Sequence, residues 1–400
     1  MKSTRVYVVI PTWGLQDGVF DTNNFFINQA LAMQKVGYNP LIIAVRLLSI
    51  KSARSLKLCR LNNAYEHHGM KVRIYDLYVP IPSKFNALRD RYISKHYQKI
   101  LHTLIREDEE NADFDAKLIH AHVSHESAYY CLEAAATEKL PLVVTEHYSG
   151  LLSGAASEAD YARAKQTIEC SDRFIFVGSN FKNYLCDKLN IQKNVLVIPN
   201  MINRERYTIR KETHDTFCFL TAGTLKKIKS MDLVIRAFGE EFAKDEPVRL
   251  LIAGDGVERS HLENLVDELG EKDRITFYGE YQIDEAGQIF SQSDAFVLTG
   301  KFETFGIVYV EAQFCGLPCI GTEGQGADDS IDDTNGFLVP YGNISRLRRA
   351  MRHLYRESAS YSKEEIRRRA VERFSEESVA KRLANIYEEL TGGMDDAQKF

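Results

Sequence analysis

Two glutamates, Glu303 and Glu311, flank a short apolar stretch in "ETFGIVYVE". The spacing predicts a helix that starts close to Thr304, and at 100° per residue the two carboxylates are then about 80° apart around its axis. Both side chains can therefore face one edge of the protein. The first turn of such a helix, up to Ile307, offers free backbone N–H groups to an anion, and Glu311 can accept hydrogen bonds from neighbouring hydroxyls.

Three lysines lie near a second predicted strand end. Gly223 closes the strand in "TAGTLKKIKS", and the cluster that follows consists of Lys226, Lys227 and Lys229. Ammonium groups at this place can neutralise phosphate charge, although a solvated cluster is the preferred reading of Lys226 or Lys227 taken separately. The turn "IAGDG" contains Asp255, which more often caps than catalyses. A nucleoside diphosphate fits the lysines and glutamates together.

Four histidines cluster near two neighbouring strand ends: His120, His122, His125 and His147. No third ligand of acidic or thiol type is fixed by the spacing of His120 and His122, so core packing and hydrogen bonding are favoured over a metal for His120. His147 follows the apolar strand "LPLVV" and precedes the loop "YSGLLSG". This position favours a residue that binds sugar hydroxyls or transfers protons.

The first strand is followed by a loop with two glycines, Gly14 and Gly18, in "VVIPTWGLQDGVF". Their spacing departs from the dinucleotide-binding fingerprint G-x-G-x-x-G, and no acidic residue ends the strand "PLIIAV". The glycines can let the backbone approach a phosphate or sugar, or they can serve a turn alone.

Short apolar strands alternate with amphipathic helices along the chain, in two series separated by a polar segment. This pattern predicts an α/β protein of two tandem Rossmann-like, doubly wound domains that face each other across a cleft. The predicted parts are an N-terminal domain over 1–203, a linker over 204–214, a C-terminal domain over 215–375, and a helix over 376–400 that packs back on the N-terminal domain.

Length and composition are those of a globular protein with two cores. The chain has 400 residues, 44% of them hydrophobic, and a net charge of -5, with 24 Lys and Arg against 20 Asp and Glu in the first 200 residues and 27 against 36 in the rest. Seven cysteines without a C-x-x-C pair predict reduced thiols rather than disulfides or zinc ligands. The absence of a long apolar run or a signal-peptide core predicts a cytoplasmic location.

The chain resembles retaining glycosyltransferases of family 4, which have the GT-B fold. The resemblance rests on "ETFGIVYVE", "AGTLKKIKSMDLVIRAF", "LLIAGDG" followed by "ITFYGEY", "NGFLVPYGN", and "VVTEH" in the first half. It implies transfer of a sugar from a nucleoside-diphosphate sugar with retention of anomeric configuration, without an essential metal or other cofactor. Cell-surface polysaccharide or glycoconjugate synthesis is the expected setting.

The resemblance also implies roles for individual residues. Glu311 binds the ribose and Glu303 lies close to the donor sugar; His147 is the histidine near the reacting sugar. The remaining donor-binding residues implied are Gly14, Gly223, Thr224, Lys229, Thr304, Phe305, Gly306 and Ile307, and residues 277–282 are expected to border the base. The family commonly has Gly-Arg where this chain has Gly223-Thr224, so Lys226 or Lys227 is left as the alternative source of positive charge.

A basic region in the first half suits an acceptor at a membrane. Residues 22–65 carry no acidic side chain, and 83–106 form a helical stretch rich in basic and aromatic residues. Such a surface can lie on the anionic inner face of a membrane, which would suit a lipid-linked acceptor; a glycan is the other acceptor expected. A solvated helix face is the open alternative.

Three other classes of function are distinguishable from a glycosyltransferase. A catalytically silent nucleotide-sugar-binding protein of the same fold would keep Glu311 and Lys229 without turning over donor. An NAD-dependent oxidoreductase would be stabilised by NAD. An isoelectric point near 6.2 and the lack of an RNA or DNA motif disfavour a nucleic-acid-binding protein.

Overall fold

The structure is a computed structural model that describes residues 3–13, 15–16, 19–20, 25–49, 58–110, 114–210 and 215–392. The chain divides into two compact units. The first consists of Met1–Val177, Lys182–Ile198 and Val379–Phe400, and the second of Gly178–Phe181 and Pro199–Ser378.

Eight strands form the main sheet of the first unit, in the order β10-β9-β8-β7-β1-β4-β6-β5. The elements up to Val197 are β1 (Ser3–Ile10), β2 (Leu15–Gln16), β3 (Val19–Phe20), α1 (Phe25–Lys35), β4 (Tyr38–Ser49), β5 (Cys59–His67), β6 (Met70–Val79), α2 (Asn86–Glu110), β7 (Phe114–His122), α3 (Ser127–Glu138), β8 (Leu142–Glu146), α4 (Gly150–Ser153), α5 (Glu158–Cys170), β9 (Arg173–Phe176), α6 (Ser179–Leu189) and β10 (Leu196–Val197).

Six parallel strands form the sheet of the second unit, in the order β13-β12-β11-β14-β15-β16. Its elements, and the last helix of the chain, are β11 (Phe217–Ala222), α7 (Met231–Glu241), β12 (Val248–Ala253), α8 (Arg259–Glu268), β13 (Ile275–Gly279), α9 (Ile283–Ser291), β14 (Ala295–Val297), α10 (Ile307–Phe314), β15 (Cys319–Thr322), β16 (Gly336–Val339), α11 (Ile344–Arg356), α12 (Lys363–Phe374) and α13 (Glu376–Thr391).

The central strands are buried on both faces. Val6 to Ile10 of β1 are all at most 4% exposed, because crossover helices cover the two sides of a parallel sheet. In the second unit, α7 buries a single stripe at the spacing of one helix face: Met231, Val234, Ile235, Ala237 and Phe238. The alternation of apolar strands and amphipathic helices thus accounts for the parallel strands of both sheets.

The sheet of the first unit has one strand that the sequence analysis missed. β5 pairs antiparallel with β6 at the edge of the sheet, whereas a parallel sheet was predicted. Most of its residues are half-buried or exposed. An edge strand with little apolar content gives no buried run to detect, which explains the error.

The connection between the units differs from the predicted linker over 204–214. The chain enters the second unit at Pro199, and Tyr207 is only 1% exposed. A short helical turn, Arg204–Arg206, precedes it. Residues 204–210 therefore group with the second unit, and residues 211–214 of the predicted linker lie outside the described residues.

Helix α13 lies with the first unit. Tyr387 Oη is 2.6 Å from His120 Nδ1, and the Tyr38 hydroxyl donates to the Ala384 carbonyl at 3.4 Å. The helix begins at Glu376, the residue at which the final helix was predicted to start, and its residues group with the first unit from Val379 onward.

Each sheet has one place where the order of strands reverses. In the first unit this switch point lies between β1 and β7, and in the second between β11 and β14. Ligands of open α/β sheets bind at the carboxyl ends of the strands beside such a point. His122 ends β7, and Gly223 directly follows β11.

Candidate functional site

A cavity of about 620 Å³ opens at the carboxyl ends of β11 and β12 in the second unit. It is lined by Gly223, Thr224, Gly254, Asp255, Gly256, Glu280, Tyr281, Ile283, Ala286 and Glu311. Three predicted donor-binding residues are therefore brought together by the fold: Gly223, Thr224 and Glu311. The cavity also contains part of the segment 277–282 that was expected to border a base.

Two loops cross closely on one side of this cavity. Gly223 N–H donates to the Ala253 carbonyl at 2.9 Å, and Leu225 N–H donates to the Asp255 carbonyl at 2.9 Å. Gly254 has φ +128°, and a Cβ at this position would lie 2.0 Å from Gly223 O. Only glycine fits there, so the backbone itself forms this wall.

Asp255 has the structural role predicted for it. Its carboxylate accepts from Gly256 N–H at 2.6 Å and pairs with Arg259 at 2.9 Å. These hydrogen bonds lower the pKa of Asp255, the bond from Gly256 N–H most strongly. The side chain therefore fixes the turn beside the cavity.

Glu311 is buried in the wall of the cavity. The residue is 6% exposed, and the Tyr207 hydroxyl donates to Glu311 Oε1 at 2.7 Å. Burial raises the pKa of Glu311 to about 7, although the Tyr207 hydrogen bond and the nearby Arg206 favour the ionised form. A carboxylate that is anchored at one oxygen and lines a cavity can accept hydrogen bonds from a diol.

Helix α10 begins at Ile307, so the predicted start close to Thr304 is wrong. Gly306 precedes the helix with φ +77°, a left-handed conformation that ends any continuous helix towards Glu303. A Cβ on Gly306 would lie 2.5 Å from the Tyr309 ring. Glu303 consequently lies outside the helix, and the 80° angle calculated for one continuous helix does not apply.

Glu303 and Lys229 form an ion pair. Lys229 Nζ lies 2.6 Å from Glu303 Oε2, and the two side chains are 24% and 16% exposed. Lys229 ends a short helical turn, Lys227–Lys229, directly before α7. The predicted phosphate-binding group and the predicted sugar-binding group are thus neighbours.

The other predicted residues of this region differ in exposure. Thr224, Lys226 and Lys227 are exposed, whereas Thr304 is 9% and Phe305 1% exposed. The Phe305 ring packs against Phe374 with 5.7 Å between ring centroids. Backbone groups are therefore what Phe305 can offer a ligand.

His147 directly follows β8 in the first unit. His122 Nδ1 lies 3.1 Å from His147 Nε2, and the Phe25 and Phe26 rings pack against His147 at centroid distances of 4.8 and 5.2 Å. Burial lowers the pKa of His122 well below its usual range. A neutral His122 can orient the imidazole of His147.

His120 has the core role that was predicted. Its Nδ1 lies 2.6 Å from Tyr387 Oη and its Nε2 2.8 Å from Thr145 Oγ1, and burial lowers its pKa to about 3. Nowhere in the described ranges do three His, Cys, Asp or Glu side chains form a group that could hold a metal ion. All seven cysteines are free thiols.

Gly14 and Gly18 lie outside the described residues. The basic region between 22 and 65 is only partly described, and two of its arginines have acidic partners: Arg46 and Arg60 pair with the buried Asp76 at 2.6 and 3.3 Å. This pairing reduces the positive charge available to a membrane.

Sequence reasoning missed Tyr207 and the role of Gly254 in this site. Tyr207 lies in a polar stretch without apolar periodicity, so no pattern marked it as buried. The glycine of "IAGDG" was a signal for Gly254, because a glycine that follows a buried strand often permits a close backbone approach.

Two family models match the chain. The family described as Glycosyltransferase Family 4 matches residues 56–206, and Glycosyl transferases group 1 matches residues 203–373. The second match includes Glu311 and every other residue that lines the cavity.

Relatives and solved structures agree with these matches. N-acetyl-alpha-D-glucosaminyl L-malate synthase of Bacillus anthracis is 24% identical over 304 residues, which cover 73% of this chain and 79% of that protein. Sucrose-phosphate synthase of Thermosynechococcus elongatus has a TM-score of 0.72 at 17% identity, covering 97% and 99% of the two chains. Anabaena HepE in complex with UDP has a TM-score of 0.71 at 16% identity, covering 98% and 100%.

HepE has also been solved with UDP-glucose. The structural likenesses establish the two-domain α/β architecture, and the family matches establish the class of enzyme. The chain belongs to glycosyltransferase family 4, has the GT-B fold, and is an enzyme that transfers a glycosyl group from a nucleotide sugar.

Proposed function

We propose that the enzyme transfers a sugar from a nucleoside-diphosphate sugar, with retention of anomeric configuration, to an acceptor in glycoconjugate or polysaccharide synthesis. The observation that carries this proposal is the cavity of the second unit, in which a buried carboxylate faces two glycine turns at a sheet switch point. A ribose diol suits Glu311, and a diphosphate suits the turns and the positive groups beside them.

The leaving diphosphate gains negative charge as its bond to the sugar breaks. Lys229 and the N-terminus of α10 can stabilise that charge. The Lys229 ammonium donates to Glu303 Oε2 at 2.6 Å, so a phosphate would compete with this carboxylate for it. Glu303 would then be released towards the donor sugar, and no essential metal is required in this scheme.

His147 is proposed to act in the transfer step rather than in nucleotide binding. Its support is the position directly after β8, with one ring nitrogen beside the neutral His122. If His147→Ala retained the full transfer rate with the true acceptor, this role would be wrong.

The donor is best identified by thermal shift with UDP, GDP, ADP, CMP and their common sugars. UDP and UDP-glucose are the first to test, because HepE was solved with both. We expect one diphosphate to raise the unfolding temperature of the wild type and not of Glu311→Ala. Stabilisation by NAD alone would contradict the proposal.

Catalysis is tested by following donor turnover with a panel of acceptors in the presence and absence of EDTA. Release of the nucleoside diphosphate that survives EDTA, with the anomeric configuration of the product determined by NMR, would support metal-free retaining transfer. Binding without any turnover, in hydrolysis or transfer, would instead identify a silent binding protein.

A membrane-bound acceptor is the second part of the proposal. Phe85 and Leu88, at the start of α2, are 53% and 61% exposed, and Lys84 lies over the Phe85 ring at 5.2 Å. Arg91 and Lys95 on the same helix are also exposed. Exposed apolar side chains surrounded by cationic ones favour binding to an anionic lipid surface.

One face of α2 is buried along the length of the helix and is not part of this surface. Tyr97, Ile100, Leu101 and Leu104 pack into the protein, so these residues of the predicted basic and aromatic stretch cannot meet lipid. In the part of the chain that is described, no helix is long and apolar enough to cross a membrane.

Sedimentation with vesicles of anionic and of zwitterionic phospholipid tests the contact. We expect binding to anionic vesicles at low salt, and its loss in Phe85→Ser/Leu88→Ser. Val257→Ser is the matched control, because Val257 is 86% exposed in the second unit. Failure of the wild type to sediment with anionic vesicles would sink this part of the proposal.

A further inference from the structure

We infer that Tyr207 is a positioning residue for Glu311. Its hydroxyl donates to Glu311 Oε1 at 2.7 Å and thereby holds the carboxylate for a ribose diol. This inference rests on the proposed function, in which Glu311 binds the ribose of the donor.

The position of Tyr207 is fixed by contacts other than this hydrogen bond. The Phe290 and Phe314 rings meet its ring edge-on at 6.3 and 6.2 Å, and Arg367 Nη1 donates to the Tyr207 carbonyl at 2.6 Å. A Cβ on Gly287 of α9 would lie 1.8 Å from Arg206 O, so α9 packs directly against this segment. The hydroxyl is therefore presented from a rigid support.

The Tyr207 hydroxyl favours the ionised form of the Glu311 carboxyl group and leaves it able to accept further hydrogen bonds. A phenol has one proton to donate, and Glu311 offers lone pairs on two oxygens, so the bond at Oε1 leaves acceptor capacity for hydroxyls of a ligand. It also stabilises the ionised form against the burial that raises the pKa of Glu311. A protonated Glu311 would carry an O–H donor of its own and match a diol less well.

Tyr207→Phe tests the inference because it removes the hydroxyl and keeps the ring. At pH 7 we expect the affinity for the nucleotide sugar to fall about five- to tenfold, since the loss of a bond to a charged group raises the pKa of Glu311 by about one unit or more. At pH 9 both proteins have an ionised Glu311, and their affinities should agree within about twofold. The measurement is calorimetric titration between pH 6 and pH 9.

Tyr309→Phe is the matched control. Tyr309 is equally buried, lies on the same helix as Glu311, and donates its hydroxyl to the Leu298 carbonyl at 2.8 Å. The Tyr309→Phe variant should leave the pH profile of binding unchanged. In a protein that already carries Glu311→Gln, Tyr207→Phe should cause no further pH-dependent loss of affinity. A loss for Tyr207→Phe that is equal at all pH values, or no loss at all, would overturn the inference.

Folded stability supplies a second test. If Tyr207→Phe is too unstable to purify, adding Glu311→Gln should restore folding. The glutamine side chain is uncharged, so it does not need a hydrogen-bond donor to stabilise a buried negative charge. Failure to restore it would show that the hydroxyl serves packing alone and would also overturn the inference. Failure of the proposed function is distinguishable from both, since the wild type would then bind no nucleotide sugar.

Discussion

The two switch points of the molecule have the same topology and opposite chemistry. In the first unit the strand ends carry two imidazoles, the neutral His122 and its neighbour His147, packed among aromatic rings. In the second unit the loops and the helix that follow the strands carry Glu311, the Lys229–Glu303 pair and glycine turns. The sheet supplies the place for a site, and the side chains at the strand ends determine which ligand chemistry it can serve.

Burial disfavours charge at both switch points, with different outcomes near neutral pH. It lowers the pKa of His120 to about 3, which keeps that imidazole neutral, and raises the pKa of Glu311 to about 7, which leaves the carboxyl partly ionised. In the second unit a ligand can therefore bind preferentially to the ionised form of Glu311, whereas His120 in the first unit stays uncharged.

The strongest test of this comparison sets Glu311→Ala against His147→Ala. Glu311→Ala should weaken binding of the nucleoside diphosphate by about 10- to 100-fold, because it removes hydrogen bonds to a charged group. His147→Ala should leave that affinity unchanged and slow transfer on the order of 100-fold. Calorimetry and a turnover assay measure the two effects, and equal losses of affinity in both variants would remove the distinction between the units.

Gly254→Ala tests whether the second site is built from backbone. A Cβ placed 2.0 Å from Gly223 O forces the two loops apart, and φ +128° adds strain. We expect a loss of about 2 kcal/mol or more of folding free energy, together with weaker nucleotide binding.

Gly324→Ala is the control for Gly254→Ala. Gly324 has φ +75° and no atom within 4 Å of the added Cβ, so it introduces strain without a clash. Urea unfolding of both variants should show the larger loss for Gly254→Ala. Equal losses would mean that close approach of the loops contributes little.

Lys229→Ala sharpens the role of charge in the second unit. It should reduce nucleoside diphosphate affinity about tenfold, whereas Lys226→Ala and Lys227→Ala should each change it about twofold, since their ammonium groups are exposed to solvent. Titrations at low and high salt check this order. A larger loss for Lys226→Ala or Lys227→Ala would identify that lysine as the phosphate-binding group.

The pH dependence of donor binding should follow Glu311. Lowering the pH from 7 to 6 should weaken binding of a nucleotide sugar about fivefold. With a pKa of about 7, Glu311 loses most of its ionised fraction over this range, and the ionised form is the one that binds the ribose. The ligand for this titration should be a nucleotide sugar rather than the free diphosphate. The terminal phosphate of the free diphosphate itself titrates at about pH 6 and would add a second pH dependence. Glu311→Gln should abolish the dependence.

The folding stability of the protein should also depend on the ionisation of Glu311, but it should fall with rising pH whereas donor affinity rises. The folded-state pKa of Glu311 lies above its ordinary value, so folding is favoured below pH 4.5 and this contribution is lost as the pH rises through about 7. Glu311→Gln should therefore be at least as stable as the wild type above pH 7 in the absence of ligand.

The smallest effect is expected for Tyr387→Phe in the first unit. Loss of its hydrogen bond to His120 should cost about 1 kcal/mol of folding free energy and leave nucleotide affinity unchanged. Chemical denaturation and calorimetry measure the two quantities. A change in nucleotide affinity would contradict the separation of roles between the two units.

Much of the fold was predictable because buried parallel strands are continuous apolar runs. Strand β8, which was read from "LPLVV", is such a run and is buried at every position. The polar edge strand β5 was missed. The start of α10 was misplaced because helical periodicity says nothing about the left-handed Gly306.

The site was predictable at the level of local motifs and not of distant contacts. Glu311 and Gly223 could be assigned from the strand ends that precede them. Lys229 and Glu303 are 74 positions apart, and Tyr207 and Glu311 are 104 apart. Such pairs depend on how loops from different strands meet, which no local spacing records.

The placement of α13 with the first unit has a consequence for biosynthesis. Because Tyr387 completes the surroundings of His120, the first unit cannot assemble fully until residues beyond the whole second unit have left the ribosome. The second unit, continuous over Pro199–Ser378 apart from Gly178–Phe181, has nearly all its chain available earlier. In this enzyme the second unit can therefore finish folding before the unit whose synthesis begins first.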